Sequence, residues 1–393
     1  MGERDGSGLK QRNDQPQNGI QLLRMLRKSN GKQVQSFKDL AGYIGFKARD
    51  KGIPVHGQFE LTPLCNFSCK MCYVHLNPDQ LNGSPVLTAE AWKNLMHQAW
   101  EAGMLEATLT GGECLAYPWF DDIYLYLHSL GCQVAVLTNG FLLDDRRIAF
   151  FSEHKPVRIQ VTLYGWNDDV YERVTGQQAF AVVTENIRKA VAAELPVAVN
   201  ITPSVYLGED ALETLRTAKQ LCRSVMVNSY VFSPREETGR ASQQDNPDRD
   251  LYLRMLLLRN QLDGIEPLIL DEDQLPPSGS NIHECSTCGL RCGGGRSGFV
   301  VDWHGTLMPC NRMEMIRAFP LKDGFREAWN QINKEANHWL RVPECEGCVY
   351  NGVCDNCAAN MLRFTDPGKL PVQLCEETKF FVRHGIRRLP DCE

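Results

Sequence analysis

Three closely spaced cysteines near the start of the chain are the residues best suited to chemistry. Cys65, Cys69 and Cys72 follow a C-x3-C-x2-C spacing. Three thiolates at this spacing can ligate three irons of a [4Fe–4S] cluster, which normally has four cysteine ligands. The remaining iron would stay open, as one position does in a catalytic metal site. Because His75 follows Cys72, a Cys3His zinc site fits the same residues.

The cysteine content also bears on the compartment. Of 16 cysteines in 393 residues, ten lie in residues 271–393. The N-terminus is charged at once and lacks the apolar core of a signal peptide, and no apolar run is long enough to span a membrane. We therefore expect a cytoplasmic protein whose cysteines bind metal rather than form disulfides, because the cytosol is reducing.

The net charge of −6 is unevenly distributed. Residues 1–51 hold 11 Lys and Arg against 5 Asp and Glu, so the rest of the chain is acidic. A basic arm can bind nucleic acid, but we favour docking on the acidic body of its own chain. The composition of residues 1–18, rich in Gly, Asn, Gln and charged residues, predicts a mobile tail. Short helices are expected near 20–28 and 36–49.

From residue 56 onwards, β-branched apolar runs alternate with helical stretches. The predicted strands are 58–62, 106–110, 133–138, 158–163, 197–202 and 224–231. The predicted helices are 88–102, 119–130, 144–152, 180–194, 210–221 and 245–262, with Thr88, Asp144 and Asp210 as expected N-caps.

Six β–α units predict an α/β fold with a parallel sheet and helices outside it. Six fall short of the eight of a closed barrel, so we expect a partial (β/α)6 TIM-like barrel over residues 56–270. Residues 1–55 form a basic N-terminal segment and residues 271–393 a small Cys-rich domain. Ligands of parallel α/β folds bind at the carboxyl ends of the strands.

Short motifs follow the first four predicted strands in a specific order. The segment that contains Cys65, Cys69 and Cys72, here called the cysteine loop, comes first. It is followed in order by Gly111-Gly112-Glu113, Thr138-Asn139-Gly140 and Thr162-Leu163-Tyr164-Gly165. Together they resemble the radical SAM superfamily over residues 56–270. Cys114 stands where relatives usually have proline, and it is either a small apolar filler or a thiol near the substrate.

The resemblance implies an enzyme that reductively cleaves S-adenosylmethionine (SAM) at a [4Fe–4S] cluster held by Cys65, Cys69 and Cys72. The resulting 5′-deoxyadenosyl radical abstracts a hydrogen atom from substrate, and an external flavodoxin- or ferredoxin-type protein donates the electron. Backbone N–H groups of the Gly-Gly turn can approach SAM closely because glycine lacks Cβ. The candidate cofactor-binding residues are Tyr73 (against adenine), Gly111, Gly112, Glu113, Asn139, Thr162 and Asn200.

The C-terminal cysteines resemble a SPASM domain, which holds two auxiliary iron–sulfur clusters. The pattern departs from that domain in one gap of two residues instead of three. Carried over by position, one cluster has the ligands Cys292, Cys310, Cys357 and an upstream cysteine, for which we prefer Cys288 to Cys285. The other has Cys345, Cys348, Cys354 and Cys375. A pair of zinc sites is the alternative.

SPASM-bearing relatives mostly act on peptides, so the resemblance implies a radical SAM/SPASM oxidoreductase that modifies or cross-links a peptide or protein. A small-molecule dehydrogenase is the alternative. Sulfatase maturation is more remote, because Asn311 stands where those enzymes carry an aspartate base and an amide cannot take up a proton. A zinc-dependent nucleic-acid-binding protein is also remote. A peptide could add a strand to the predicted hairpin at 299–308, and the sequence identifies no catalytic base.

Overall fold

The structure, a computed structural model, describes residues 37–74, 76, 81, 86–231, 244–270 and 289–389. The predicted tail, the first short helix, His75, Cys285 and Cys288 lie outside the described residues. The chain divides into two compact units, Met1–Phe46 and Lys47–Glu393. The second unit includes both the predicted barrel and the Cys-rich region.

The second unit is built around one open sheet. Its strands are β1 (His56–Glu60), β2 (Glu106–Thr110), β3 (Gln133–Thr138), β4 (Arg158–Thr162), β5 (Val197–Ile201), β6 (Val225–Val227), β7 (Gly298–Val301) and β8 (Leu307–Met308). Their order across the sheet is β6-β5-β4-β3-β2-β1-β7-β8. Strands β1 to β6 are parallel to their neighbours, which confirms the predicted partial barrel.

Helices follow most strands, and their capping agrees with the sequence at two of three positions. The helices are α1 (Phe37–Lys51), α2 (Ala89–Glu101), α3 (Phe120–Ser129), α4 (Asp145–Glu153), α5 (Asp168–Thr175), α6 (Phe180–Ala192), α7 (Asp210–Leu221), α8 (Arg249–Leu262), α9 (Pro320–Asp323), α10 (Phe325–His338), α11 (Pro343–Glu346), α12 (Ala358–Met361) and α13 (Val372–Arg383). Thr88 and Asp144 cap α2 and α4 through their side chains. Asp210 instead begins α7 and accepts hydrogen bonds from Trp166 and Arg173. Among the described helices, none is long and apolar enough to cross a membrane.

The hairpin predicted at 299–308 is not an open edge. Strand β7 pairs in parallel with β1 over four residues, and β8 pairs antiparallel with β7. On the far side of β8, Leu307 and Ala318 exchange two backbone hydrogen bonds of 2.9 Å. Peptide addition to this hairpin was therefore a wrong expectation, because both of its edges are already paired.

A buried aromatic cluster fixes β7 against the barrel. The Phe299 ring meets Phe59 of β1 edge-on at 5.8 Å between centroids, Phe325 at 5.0 Å and Trp329 at 6.0 Å. Phe59 in turn contacts Trp92 of α2 at 6.0 Å. Edge-to-face pairs of this kind add to the hydrophobic gain of burial. The cluster thus joins residues of the Cys-rich region to the first β–α unit.

Replacing Phe299 with alanine should destabilise the protein by about 3–5 kcal/mol, because a buried ring is lost from the centre of this cluster. The change is measured as the free energy of unfolding in guanidinium chloride, followed by tryptophan fluorescence. Leu105→Ala is the matched control, since Leu105 is 49% exposed and should cost no more than about 0.5 kcal/mol. Equal losses in the two variants would show that the aromatic cluster does not hold β7.

Candidate active site

A cavity of about 220 Å³ lies at the carboxyl ends of the parallel strands. The cysteine loop after β1 forms one side, the ends of β2 to β6 and the residues that follow them form most of the remainder, and Arg312 completes the lining. Cys65, Cys69 and Cys72 all line it. So do the candidate cofactor residues Tyr73, Gly111, Gly112, Asn139, Thr162 and Asn200. Residues that the sequence placed on separate strand ends therefore meet in one space.

The cysteine loop touches the glycine turn through the main chain. The Gly112 N–H donates to the Thr62 carbonyl at 2.6 Å, and the Glu113 N–H donates to the Leu64 carbonyl at 2.9 Å. A Cβ on Gly111 would lie 2.4 Å from the Thr62 oxygen, and one on Gly112 would lie 2.3 Å from the Leu64 oxygen. Gly111 also has φ +136°, which side chains disfavour. Only glycine fits either position.

This contact changes the expected role of the turn. We expected its N–H groups to face SAM, but the Gly112 and Glu113 N–H groups are engaged by the cysteine loop. The groups of the turn that suit the SAM ammonium are carbonyl oxygens, which accept hydrogen bonds from a cation.

Glu113 does not line the cavity, which corrects its place among the cofactor contacts. Its carboxylate is fully buried and accepts hydrogen bonds from Thr138 Oγ1 at 2.8 Å, Leu115 N at 3.0 Å and Asn139 N at 2.7 Å. Burial raises the pKa of Glu113, and these three donors oppose the rise. The side chain therefore ties the end of β2 to the end of β3, and it positions Asn139.

The loop thiols fit a cationic group. Burial raises the pKa of Cys65 to about 12, and that of Cys69 further, with repulsion among the three sulfurs adding to both shifts. The Phe67 N–H and Asn139 Nδ2 donate to Cys65 Sγ at 3.4 and 3.6 Å. As thiolates these groups need a neighbouring cation, which iron supplies.

The zinc alternative requires ligands that converge on one ion. Tetrahedral zinc bonds each sulfur at about 2.3 Å, so its ligands must converge closely. In the part of the chain that the structure describes, no group of three Cys, His, Asp or Glu side chains converges in this way. The zinc alternative therefore finds no support there, and the proposed ligand His75 lies outside it.

Asn200 offers a polar atom for a ligand. Its side chain is buried at the cavity wall, and its Oδ1 has no hydrogen-bond partner among the described residues. A buried unsatisfied carbonyl costs about 1–3 kcal/mol. The amino and hydroxyl groups of SAM could satisfy it, so the residue fits the cofactor.

Several residues that line the cavity were not predicted from the sequence. They are Thr110, Gln160, Thr202, Asn228, Tyr230 and Arg312. A position at or near a strand end could have indicated the first five, but Arg312 follows Cys310 and carries no such signal.

Cys114 is fully buried away from the cavity, and its thiol donates to the Leu137 carbonyl at 3.2 Å. Its reading as a small filler agrees with this burial.

The C-terminal cysteines form two groups. A cavity of about 410 Å³ is lined by Cys345, Cys348, Cys354 and Cys375, the four residues assigned to one auxiliary cluster. The pKa values of Cys292 and Cys310 are raised by burial and further by nearby Cys357, so these three also lie together. Their proposed fourth ligand, Cys288, lies outside the described residues.

An open parallel sheet with a three-cysteine loop and a glycine turn at its carboxyl ends defines a radical SAM type of site. Residues 59–232 match the Radical SAM superfamily, and this part of the chain is a radical SAM domain.

Two relatives and one solved structure extend beyond that domain. The chain is 23% identical over 319 residues to the antilisterial bacteriocin subtilosin biosynthesis protein AlbA of Bacillus subtilis, covering 78% of this chain and 67% of AlbA. It is 26% identical over 326 residues to the AdoMet-dependent heme synthase of Methanosarcina barkeri, covering 77% and 90%. Streptococcus suis SuiB bound to its precursor peptide SuiA has the same fold, with TM-score 0.63, 14% identity and coverage of 91% and 86%.

Gly112→Ala should weaken SAM binding at least about tenfold, because the new Cβ would collide with the Leu64 carbonyl and displace the cysteine loop that lines the cavity. Equilibrium dialysis of anaerobically reconstituted protein measures the affinity. Gly352→Ala is the control, since nothing lies within 4 Å of a Cβ added there. Unchanged SAM affinity in Gly112→Ala would contradict the described contact.

In the metal-free chain, Cys65, Cys310 and Cys345 should react with iodoacetamide at pH 8 at least about tenfold more slowly than glutathione. Burial raises the pKa of each thiol to about 12, so very little reactive thiolate is present. Their rates should keep rising with pH beyond pH 9, whereas an ordinary thiol of pKa about 8.5 levels off. Site-resolved mass spectrometry gives the rates, and levelling near pH 9 would contradict the shifts.

Proposed function

We propose that this protein is a radical SAM/SPASM oxidoreductase that oxidatively modifies or cross-links a peptide. One observation carries the proposal: the three loop cysteines and the glycine turn line the same cavity at the carboxyl ends of the strands. Residues 56–270 would form the catalytic barrel, and residues 271–393 would form the SPASM domain. Strands β7 and β8 of that domain extend the barrel sheet.

Each part of the cavity has a role in holding the cofactors. Cys65, Cys69 and Cys72 would ligate a [4Fe–4S] cluster, and carbonyl oxygens of Gly111 and Gly112 would accept hydrogen bonds from SAM. When bound, the cluster and SAM supply a radical that can abstract hydrogen. Tyr73, Asn139, Thr162 and Asn200 surround that space and would orient the cofactor.

Two further cysteine groups favour a net oxidation, which must pass electrons away from the substrate. Cys345, Cys348, Cys354 and Cys375 would hold one auxiliary cluster, and Cys292, Cys310 and Cys357 with Cys288 would hold the other. In the cytoplasm, where we expect the protein to act, a flavodoxin- or ferredoxin-type protein would supply the electron for SAM cleavage.

A peptide substrate is supported by the relation to AlbA, which is named for the biosynthesis of a bacteriocin, a peptide product. The relation to a heme synthase, which makes a small molecule, favours the alternative of a small-molecule substrate.

Anaerobically reconstituted protein should contain about twelve irons per chain, as three [4Fe–4S] clusters require. It should also release 5′-deoxyadenosine from SAM with a strong reductant. The triple variant Cys65→Ala, Cys69→Ala, Cys72→Ala should lose this product but keep about eight irons, because only one cluster loses its ligands. Cys222→Ala is the control, since that buried thiol donates to the Val197 carbonyl away from the cavity.

About four irons in the wild type would contradict the auxiliary clusters, and 5′-deoxyadenosine from the triple variant would contradict the cavity assignment. Peptides encoded next to the gene, compared with small metabolites, then test the substrate class. A mass change on a peptide supports the proposal, whereas a change on small molecules alone supports the alternative.

A further inference from the structure

The wall of the second cysteine cavity contains a buried hydroxyl group. Thr378 of α13 lines the same cavity of about 410 Å³ as the candidate ligands Cys345, Cys348, Cys354 and Cys375. Thr378 is only 1% exposed. Its Oγ1 lies 3.3 Å from Cys354 Sγ, with the geometry of a hydroxyl that donates to sulfur. The hydroxyl therefore contacts a candidate iron ligand directly.

The Thr378 hydroxyl has one proton and two acceptors within reach. The second acceptor is the Leu374 carbonyl, one helical turn earlier, at 2.8 Å. A neutral thiol is a weak acceptor, whereas a negatively charged group forms the stronger hydrogen bonds. Burial raises the pKa of Cys354, and the hydrogen bond from Thr378 opposes that rise, so the hydroxyl favours the anionic sulfur. An iron-bound thiolate at Cys354 would therefore draw the proton away from the Leu374 carbonyl.

We propose that Thr378 raises the reduction potential of the auxiliary cluster in this cavity by donating a hydrogen bond to Cys354 Sγ. The inference rests on the proposed function and deepens it, because a higher potential makes the cluster a better acceptor of the substrate electron. Hydrogen bonds to the sulfurs are among the factors that set the potential of an iron–sulfur cluster. Reduction by one electron adds negative charge to the cluster and its sulfurs, so a donor stabilises the reduced form more than the oxidised form.

The helix that carries Thr378 also contacts the wall of the radical SAM cavity. The Tyr230 hydroxyl donates to Glu377 Oε2 at 3.0 Å. Tyr230 lines the cavity at the strand ends, and Glu377 directly precedes Thr378 in α13. This position is consistent with a cluster that receives an electron from a substrate in that cavity.

The experiment is a redox titration of the full-length, anaerobically reconstituted protein, with the reduced clusters measured by low-temperature electron paramagnetic resonance. In Thr378→Val, the ratio of reduced to oxidised form of one cluster should fall about tenfold at any fixed potential. This change lowers its midpoint by about 59 mV for one electron, and the other midpoints should stay unchanged. Thr378→Ala, which does not crowd the sulfur, should shift in the same way. Thr378→Ser keeps the hydroxyl and should retain the wild-type midpoint.

Thr214→Val is the matched control. Thr214 is equally buried, and its hydroxyl donates to the Asp210 carbonyl one turn earlier in α7, at 2.8 Å. This variant therefore loses the same kind of helical hydrogen bond on the barrel, and every midpoint should match the wild type. The shift in Thr378→Val should persist when Cys65, Cys69 and Cys72 are replaced by alanine, which assigns it to an auxiliary cluster.

The inference is overturned if Thr378→Val and Thr378→Ala keep the wild-type midpoints, or if Thr378→Ser or Thr214→Val shifts as far as they do. It is also overturned if the first two variants retain only about eight irons, because the hydroxyl would then be needed to hold the cluster. About four irons in the wild type would refute the auxiliary clusters of the proposed function, and this inference with them. About twelve irons with unshifted midpoints would refute the inference alone.

Discussion

The direct main-chain contact between the cysteine loop and the end of β2 is the constraint on which the site depends. Two backbone hydrogen bonds, from Gly112 and Glu113 to the carbonyls of Thr62 and Leu64, set the loop against the strand. Each contributes about 1 kcal/mol, but their larger effect is on geometry. The buried carboxylate of Glu113 extends the same contact to β3 by gathering Thr138 and Asn139. The ends of three strands are thereby held in fixed relation.

The buried thiols impose a second constraint, because their ionisation depends on a neighbouring cation. Burying Cys65, Cys310 and Cys345 raises each pKa to about 12, so the protein alone keeps these groups neutral. A thiolate ligand in these positions must be compensated by a metal, and binding must release protons. A metal bound by these thiolates would therefore add to folding stability, most strongly in the Cys-rich region, where helices such as α11 and α12 are only four residues long.

Local patterns predicted most of the fold. The six strands and most helices follow from alternating apolar runs, and the motifs at strand ends follow from the rule that parallel sheets bind ligands there. The pairing of β7 with β1 could not be predicted, because it depends on contacts between distant segments such as Phe59 and Phe299. Likewise, a Gly-Gly-Glu motif does not reveal that the carboxylate of Glu113 turns inward, and nothing near Arg312 in the sequence indicates that it reaches the cavity.

The place of β7 has a consequence for biosynthesis. Its partner β1 is made about 240 residues earlier in the chain. At ribosomal rates of roughly 5–20 residues per second, β1 waits on the order of 10–50 s before that neighbour exists. During this interval the nascent sheet exposes an unpaired edge and the ring of Phe59, both of which favour aggregation. The rate of translation and the access of chaperones to the nascent chain therefore influence how much protein reaches the folded state.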